Sequence, residues 1–141
     1  MESNNSNFFT DIDALILAGG MGTRLKEVLP NRQKVIAPVS GEPFVLRLID
    51  VFKSVGIKRV ILALGHGADD VLDVIANSAP PEIAIVKSIE NEPLGTAGAL
   101  RHALPLMCSD KILVTNGDSY INADLRALLK FHITSKADIT M

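Results

Sequence analysis

Cysteine is nearly missing from this 141-residue chain. Cys108 stands alone, so no disulfide framework can form within it, and it reads as a buried small hydrophobe near a helix end. The three histidines, His66, His102 and His132, show no metal-ligand spacing and suit surface or packing positions better than that of a catalytic base. Charge of one sign is missing too: 14 Lys and Arg against 16 Asp and Glu give a net charge of −2, with both signs scattered. That balance excludes a basic nucleic-acid surface. No run approaches about 18 consecutive apolar residues, and the amino terminus lacks a basic-then-apolar signal pattern. These absences leave a soluble, cytoplasmic enzyme or binding domain, and they leave its oligomeric state open. Two familiar nucleotide loops are also absent. There is no G-x-x-x-x-G-K-[ST] string, and Gly20-Met21-Gly22 begins a G-x-G-x-x-G that Leu25 breaks.

What is present is a buried-strand pattern that empties into glycine. In Leu15-Ile16-Leu17-Ala18-Gly19-Gly20-Met21-Gly22-Thr23-Arg24 an apolar run meets three glycines in four positions and then a cation, with Lys34 ten residues further on. Glycine at such a turn lets the backbone approach a ligand closely and exposes N–H groups that can cradle phosphate. Arg24 and Lys34 add full charges to those partial ones. The reading is a polyphosphate loop at the carboxyl end of a first strand, where open α/β sheets bind ligands. The plainer alternative is a strand-to-helix turn with no ligand.

Hydrophobic residues make up 48% of the chain, which suits a sheet buried on both faces, and the length suits one domain. Residues 1–10, Asn- and Ser-rich over the first seven, read as a loose tail, and residues 11–141 as the domain. Strands are predicted at 14–18, 59–64, 83–86 and 111–115, and a fifth begins at 137–141. Helices are predicted at 43–55, 71–76, 97–106 and 124–133, with residues 21–42 a long functional loop. Alternating strands and helices imply a three-layer α/β/α, Rossmann-like fold: a mostly parallel sheet with helices on both faces. The chain stops inside the apparent fifth strand without a turn, so the domain is expected to be truncated at its carboxyl end.

Three loops then fall at carboxyl ends of strands: residues 19–24, 90–98 and 116–118. Parallel strands would bring all three to one edge of the sheet. Asp118 follows an apolar strand and Gly117, and two readings stand there. It is a Mg²⁺ ligand, since hard cations prefer oxygen and take one or two carboxylates plus phosphates, or it is a turn residue. In Glu90-Asn91-Glu92-Pro93-Leu94-Gly95-Thr96-Ala97-Gly98, Pro93 and Gly95 can set a tight backbone against a flat base while Thr96 opens a helix. A helix-capping loop with Thr96 at the cap is the structural alternative.

From about Asp13 onward these strings resemble the sugar-1-phosphate nucleotidyltransferases, the nucleoside-diphosphate-sugar pyrophosphorylases. L-A-G-G-M-G-T-R-L with Lys34 resembles the family's signature, P-L-G-T-A-G its nucleotide-binding segment, and Asn116-Gly117-Asp118-Ser119-Tyr120 its metal-binding strand end. The combination looks nearest to guanylyltransferases handling manno-heptose 1-phosphate, with mannose 1-phosphate next. One departure is plain: the family usually has Pro-Lys-Pro around the lysine, and here Gln33-Lys34-Val35 lacks that stiffness.

The resemblance implies the nucleotide-diphospho-sugar transferase fold, with a nucleoside triphosphate and a sugar 1-phosphate as partners. A sugar 1-phosphate oxygen would attack the α-phosphorus and release pyrophosphate. Arg24, Lys34 and Asp118 would carry catalysis, with Mg²⁺ on Asp118. Leu17, Ala18, Gly19, Gly20, Gly22, Thr23, Glu90, Pro93, Gly95, Thr96 and Gly117 would bind the nucleotide. Guanine offers N–H donors at N1 and N2 that Glu90 or Glu92 could accept, although either glutamate could equally face water. A non-catalytic nucleotide-sensing module of the same fold, or transfer to a non-sugar phosphate, remains the alternative. The second metal-binding aspartate and the sugar-binding half that the family implies do not appear, so the 141-residue chain alone is expected to be inactive.

Overall fold

The computed structural model describes residues 9–20 and 33–141. Six strands and four α-helices follow in chain order: β1 Ile12–Ala18, β2 Pro38–Val39, β3 Glu42–Pro43, α1 Phe44–Val55, β4 Arg59–Leu64, α2 Ala68–Ser78, β5 Ala84–Ile89, α3 Gly95–Ala103, β6 Lys111–Asn116 and α4 Leu125–Ser135. The main sheet is parallel throughout, in the order β5-β4-β1-β6. The two central strands, Ile-Asp-Ala-Leu-Ile-Leu-Ala and Arg-Val-Ile-Leu-Ala-Leu, are buried almost end to end, as parallel strands covered on both faces must be.

Alternate side chains sort into two cores. Ala14, Ile16, Val60, Leu62 and Leu64 pack beneath Val45, Leu48, Ile49 and Phe52 of α1 and Val71 and Ile75 of α2; Leu125 and Leu129 of α4 join them at the margin. Leu15, Ile61 and Ala63 face the other way, against Ala99 and Ala103 of α3. The direction of strand addition explains the split. From β1 to β4 to β5 the chain moves one way across the sheet, then β5 to β6 returns past both strands, and a right-handed crossover in the opposite direction places its helix on the opposite face.

Several expectations need correction. Residues 137–141 form no strand, and among the described residues no strand pairs with them; the Ala137 N–H donates to the His132 carbonyl at 3.4 Å, the Thr140 hydroxyl lies 2.9 Å from His132 Nδ1, and Ile139 is exposed. An alternating pattern is only half a strand; the other half is a partner edge. Phe9, assigned to the loose tail, is buried in the first core, with Arg126 5.6 Å above its ring. Cys108 is exposed, because it lies in the segment that enters β6 rather than beneath it. Part of the predicted 21–42 loop is ordered structure: a 3-10 turn at Lys34–Ile36 and the two-residue hairpin β2–β3. Ser40 and Gly41, both at positive φ, turn that hairpin. Residues 21–32 of that loop lie outside the described residues.

The amino ends of the strands carry a polar anchor that sequence reading missed. Asp13, 2% exposed, sits across from Arg59 in the β1–β4 register and accepts the backbone N–H groups of Cys108 and Ser109. Arg59 Nη2 donates to the Leu106 carbonyl at 2.6 Å. The pair ties the segment between α3 and β6 to the sheet, so β6 starts in register with β1.

Candidate functional site

The strand order reverses between β1 and β6, and open α/β sheets bind ligands in the crevice outside such a switch point. Both strands end there. The Gly117 N–H donates to the Leu17 carbonyl at 2.8 Å, carrying the ladder one step past β6. A Cβ on Gly117 would stand 3.0 Å from that same oxygen and 3.0 Å from Val35 Cγ2. A side chain at this position would press the Lys34–Ile36 turn outward by a few tenths of an ångström. Val35, 3% exposed, plugs the turn into the core. Lys34 is thereby brought to Asp118, Nζ to Oδ2 3.8 Å, with 26% and 52% of the two side chains exposed.

The third wall comes from β5 and α3. The Glu90 N–H donates to the Leu64 carbonyl at 2.7 Å, so its position is fixed by the β4–β5 ladder. Its Oε2 accepts the Leu94 N–H at 3.2 Å, at the amino end of α3, where a carboxylate is favoured. Oε1 is shielded from solvent and has no hydrogen-bond partner among the described residues. The carboxylate lies 3.5 Å from where a Cβ on Gly19 would be. Glu90 is 9% exposed, whereas Glu92, the alternative base-facing glutamate, is open to water. Gly95 turns into α3 at φ +70°. The helix cap is Leu94, with no side-chain bond, so Thr96 lies inside the helix rather than capping it.

These pieces enclose a cleft of about 460 Å³. Leu17, Ala18, Gly19, Gly20, Lys34, Glu90, Pro93, Gly95, Thr96, Gly117 and Asp118 all line it, so apart from Glu92 the described residues given a binding or catalytic role from the sequence meet here. Gly22, Thr23 and Arg24 lie outside the described residues. The lining also includes Gln33, Val35, Ala99 and Asn116, which sequence reading did not assign. Each neighbours an assigned residue, in sequence or one helical turn on (Ala99 after Thr96), and that adjacency was the available signal.

Ionisable groups in the described lining are Lys34, Glu90 and Asp118. Among the described residues no cluster of three or more His, Cys, Asp or Glu side chains could cage a metal. Asp118, half-exposed at a strand end, fits the alternative arrangement for Mg²⁺, a single carboxylate completed by phosphate oxygens and water. Among the described residues no helix is long and apolar enough to cross a membrane.

The chain is 35% identical over 130 residues to D-glycero-alpha-D-manno-heptose 1-phosphate guanylyltransferase of Aneurinibacillus thermoaerophilus, covering 92% of this chain and 56% of that one. It is 32% identical over 130 residues to mannose-1-phosphate guanylyltransferase of Mycobacterium tuberculosis, covering 92% of this chain and 36% of that one. Among solved structures, HddC from Yersinia pseudotuberculosis complexed with GMP-PN superposes with a TM-score of 0.78 at 38% identity, covering 86% of this chain and 54% of that one. The chain therefore spans about half the length, or less, of these relatives. A family model for nucleotidyl transferase matches residues 13–141, nearly the whole chain, and the protein belongs to the nucleotidyl transferase family.

Proposed function

We propose that this chain binds a nucleoside triphosphate, GTP in preference, as the nucleotide-binding part of an enzyme that joins it to a sugar 1-phosphate and releases pyrophosphate. The observation that carries the reading is the meeting of three strand-end loops in one cleft, with the Lys34 cation 3.8 Å from the Asp118 carboxylate. Nucleotidyl transfer needs no protein nucleophile, so positioning and charge stabilisation carry the catalysis. Backbone at Gly19 and Gly20 would lie along the phosphates, and Lys34 would offset charge on the departing pyrophosphate. Arg24, from its place in the sequence, would share that task. Asp118 would hold Mg²⁺, which when bound screens the phosphate charge. The acceptor phosphate oxygen then attacks the α-phosphorus as the bond to pyrophosphate breaks.

For the base, Glu90 is the better of the two glutamates. A buried acceptor without a partner costs about 1–3 kcal/mol, and a base N–H donor would relieve it. Guanine presents two such donors on one edge. The heptose and mannose relatives, both named guanylyltransferases, support the same preference. Transfer to a non-sugar phosphate is the second reading; the inositol-1-phosphate CTP transferase from T. maritima shares the fold with a TM-score of 0.64 at 27% identity. A non-catalytic nucleotide sensor of the same fold is a third. Competition among GTP, ATP, UTP, CTP and dTTP, followed by pyrophosphate release with a panel of sugar phosphates from the chain extended to its relatives' length, separates the three. Preference for a pyrimidine triphosphate would overturn the guanine assignment, and tight binding without release under any acceptor would favour the sensor.

A further inference from the structure

Gln33 lines the cleft, yet the functional reading gives it no task. Its backbone rests at φ −67° and ψ 135°, within the range a proline would impose. Its side-chain amide donates to the backbone carbonyl of His66. His66 belongs to the turn after β4, and the next residue, Gly67, adopts φ +74°. A Cβ on Gly67 would come 2.5 Å from Gln33 Nε2 and 3.1 Å from its Cγ. The glutamine thus lies flat across a glycine, bridging the Lys34 turn to the loop between β4 and α2, 33 residues away in sequence.

Lys34 comes directly after this anchor. Its ammonium sits on a flexible four-carbon stem, held among the described residues by the single 3.8 Å contact to Asp118. The turn itself closes through two backbone bonds, Ile36 N–H to the Gln33 carbonyl at 3.1 Å and Ala37 N–H to the Lys34 carbonyl at 3.0 Å. Both move with Gln33 if it is released. We propose that Gln33 is a positioning residue for nucleotide binding: by fastening to the His66 carbonyl it fixes the backbone from which Lys34 reaches the triphosphate. The proposal rests on the reading of Lys34 as a phosphate-binding cation.

The experiment is a double-mutant cycle on the purified chain, read as affinity for a non-hydrolysable GTP analogue with Mg²⁺ by titration calorimetry. Gln33→Met keeps the length of the side chain without its amide, and Gln33→Ala removes the bridge outright. Circular-dichroism melts check folding, and the alanine variant carries the test if the methionine variant does not fold. Each should weaken binding about three- to tenfold, the loss of one neutral hydrogen bond. In a Lys34→Ala background, itself weaker, the same Gln33 substitutions should change affinity by less than about twofold, because the group they position is gone. Equal losses in both backgrounds would make Gln33 merely structural and overturn the proposal, as would no loss in either. An unchanged affinity for Lys34→Ala, or no binding by the unmodified chain, would overturn the functional reading and this proposal with it.

Discussion

At the scale of single residues, Glu90 and Asp118 make the functional reading most exposed to test. Glu90 offers one oxygen to Leu94 and leaves the other without a partner among the described residues. In Glu90→Gln the amide oxygen would keep the Leu94 bond and turn its NH₂ toward the base. A donor would then face the guanine donors, while adenine, with an acceptor at N1, would be tolerated. Losing a charge-assisted bond costs about 1.5–3 kcal/mol, so GTP affinity should fall roughly ten- to a hundredfold, and the GTP-to-ATP preference with it. Competition titrations giving an unchanged preference would remove Glu90 from base recognition. Asp118 differs in kind. It is half-exposed and its contact with Lys34 is long, so Asp118→Asn should alter stability by no more than about 1 kcal/mol. What it should lose is the Mg²⁺-dependent gain in triphosphate affinity. A variant that unfolds, or binds with the full Mg²⁺ gain, would return Asp118 to the turn-residue reading.

Among the helices, α4 is the least buried: none of its residues is fully buried, and it meets the first core through Leu125, Leu129 and the Arg126 guanidinium over the Phe9 ring. Its amino-terminal cap therefore carries an unusual share. Asp124 Oδ1 accepts both the Arg126 N–H at 2.9 Å and the Ala127 N–H at 3.0 Å. Asp124→Ala should cost about 1 kcal/mol, seen as faster amide exchange confined to α4. Unchanged exchange there would mean the helix is held by packing alone. Residue 124 was legible in the sequence as a helix start, and so were the central strands, because a continuous apolar run between turn residues has few other solutions. The glycine-terminated strand ends were legible for the same reason. What was not legible depended on partners distant in the chain. Asp13 reads as an interruption of a strand until Arg59 and the 108–109 amides are brought to it. Glu90 and Glu92 are indistinguishable until the β4–β5 ladder buries one of them. Residues 137–141 have a strand's pattern without a strand's neighbour.

For the whole molecule, the strand order decides where chemistry can occur and how much of it these residues can supply. The reversal between β1 and β6 creates the cleft, and the three ionisable groups of its described lining already have tasks on the nucleotide side. In the proposed reading Lys34 meets phosphate, Asp118 the metal and Glu90 the base. None is left among the described lining residues to orient an acceptor phosphate. On the α3 face, Val114 of β6 is 41% exposed, so that flank of the sheet offers the acceptor no enclosing wall among the described residues either. Correct alignment of two reactants can account for roughly 7–11 kcal/mol of barrier, the larger part of an ordinary enzyme's advantage. The 141-residue chain is therefore expected to bind triphosphate yet make nucleotide sugar far more slowly than an ordinary enzyme turnover of about 1 per second. Coupled pyrophosphate release and product chromatography on the purified chain, with saturating GTP, Mg²⁺ and heptose or mannose 1-phosphate, measure this directly. Turnover near or above about 1 per second would show that the acceptor is aligned by groups within these 141 residues, with residues 21–32 the first place to look for them.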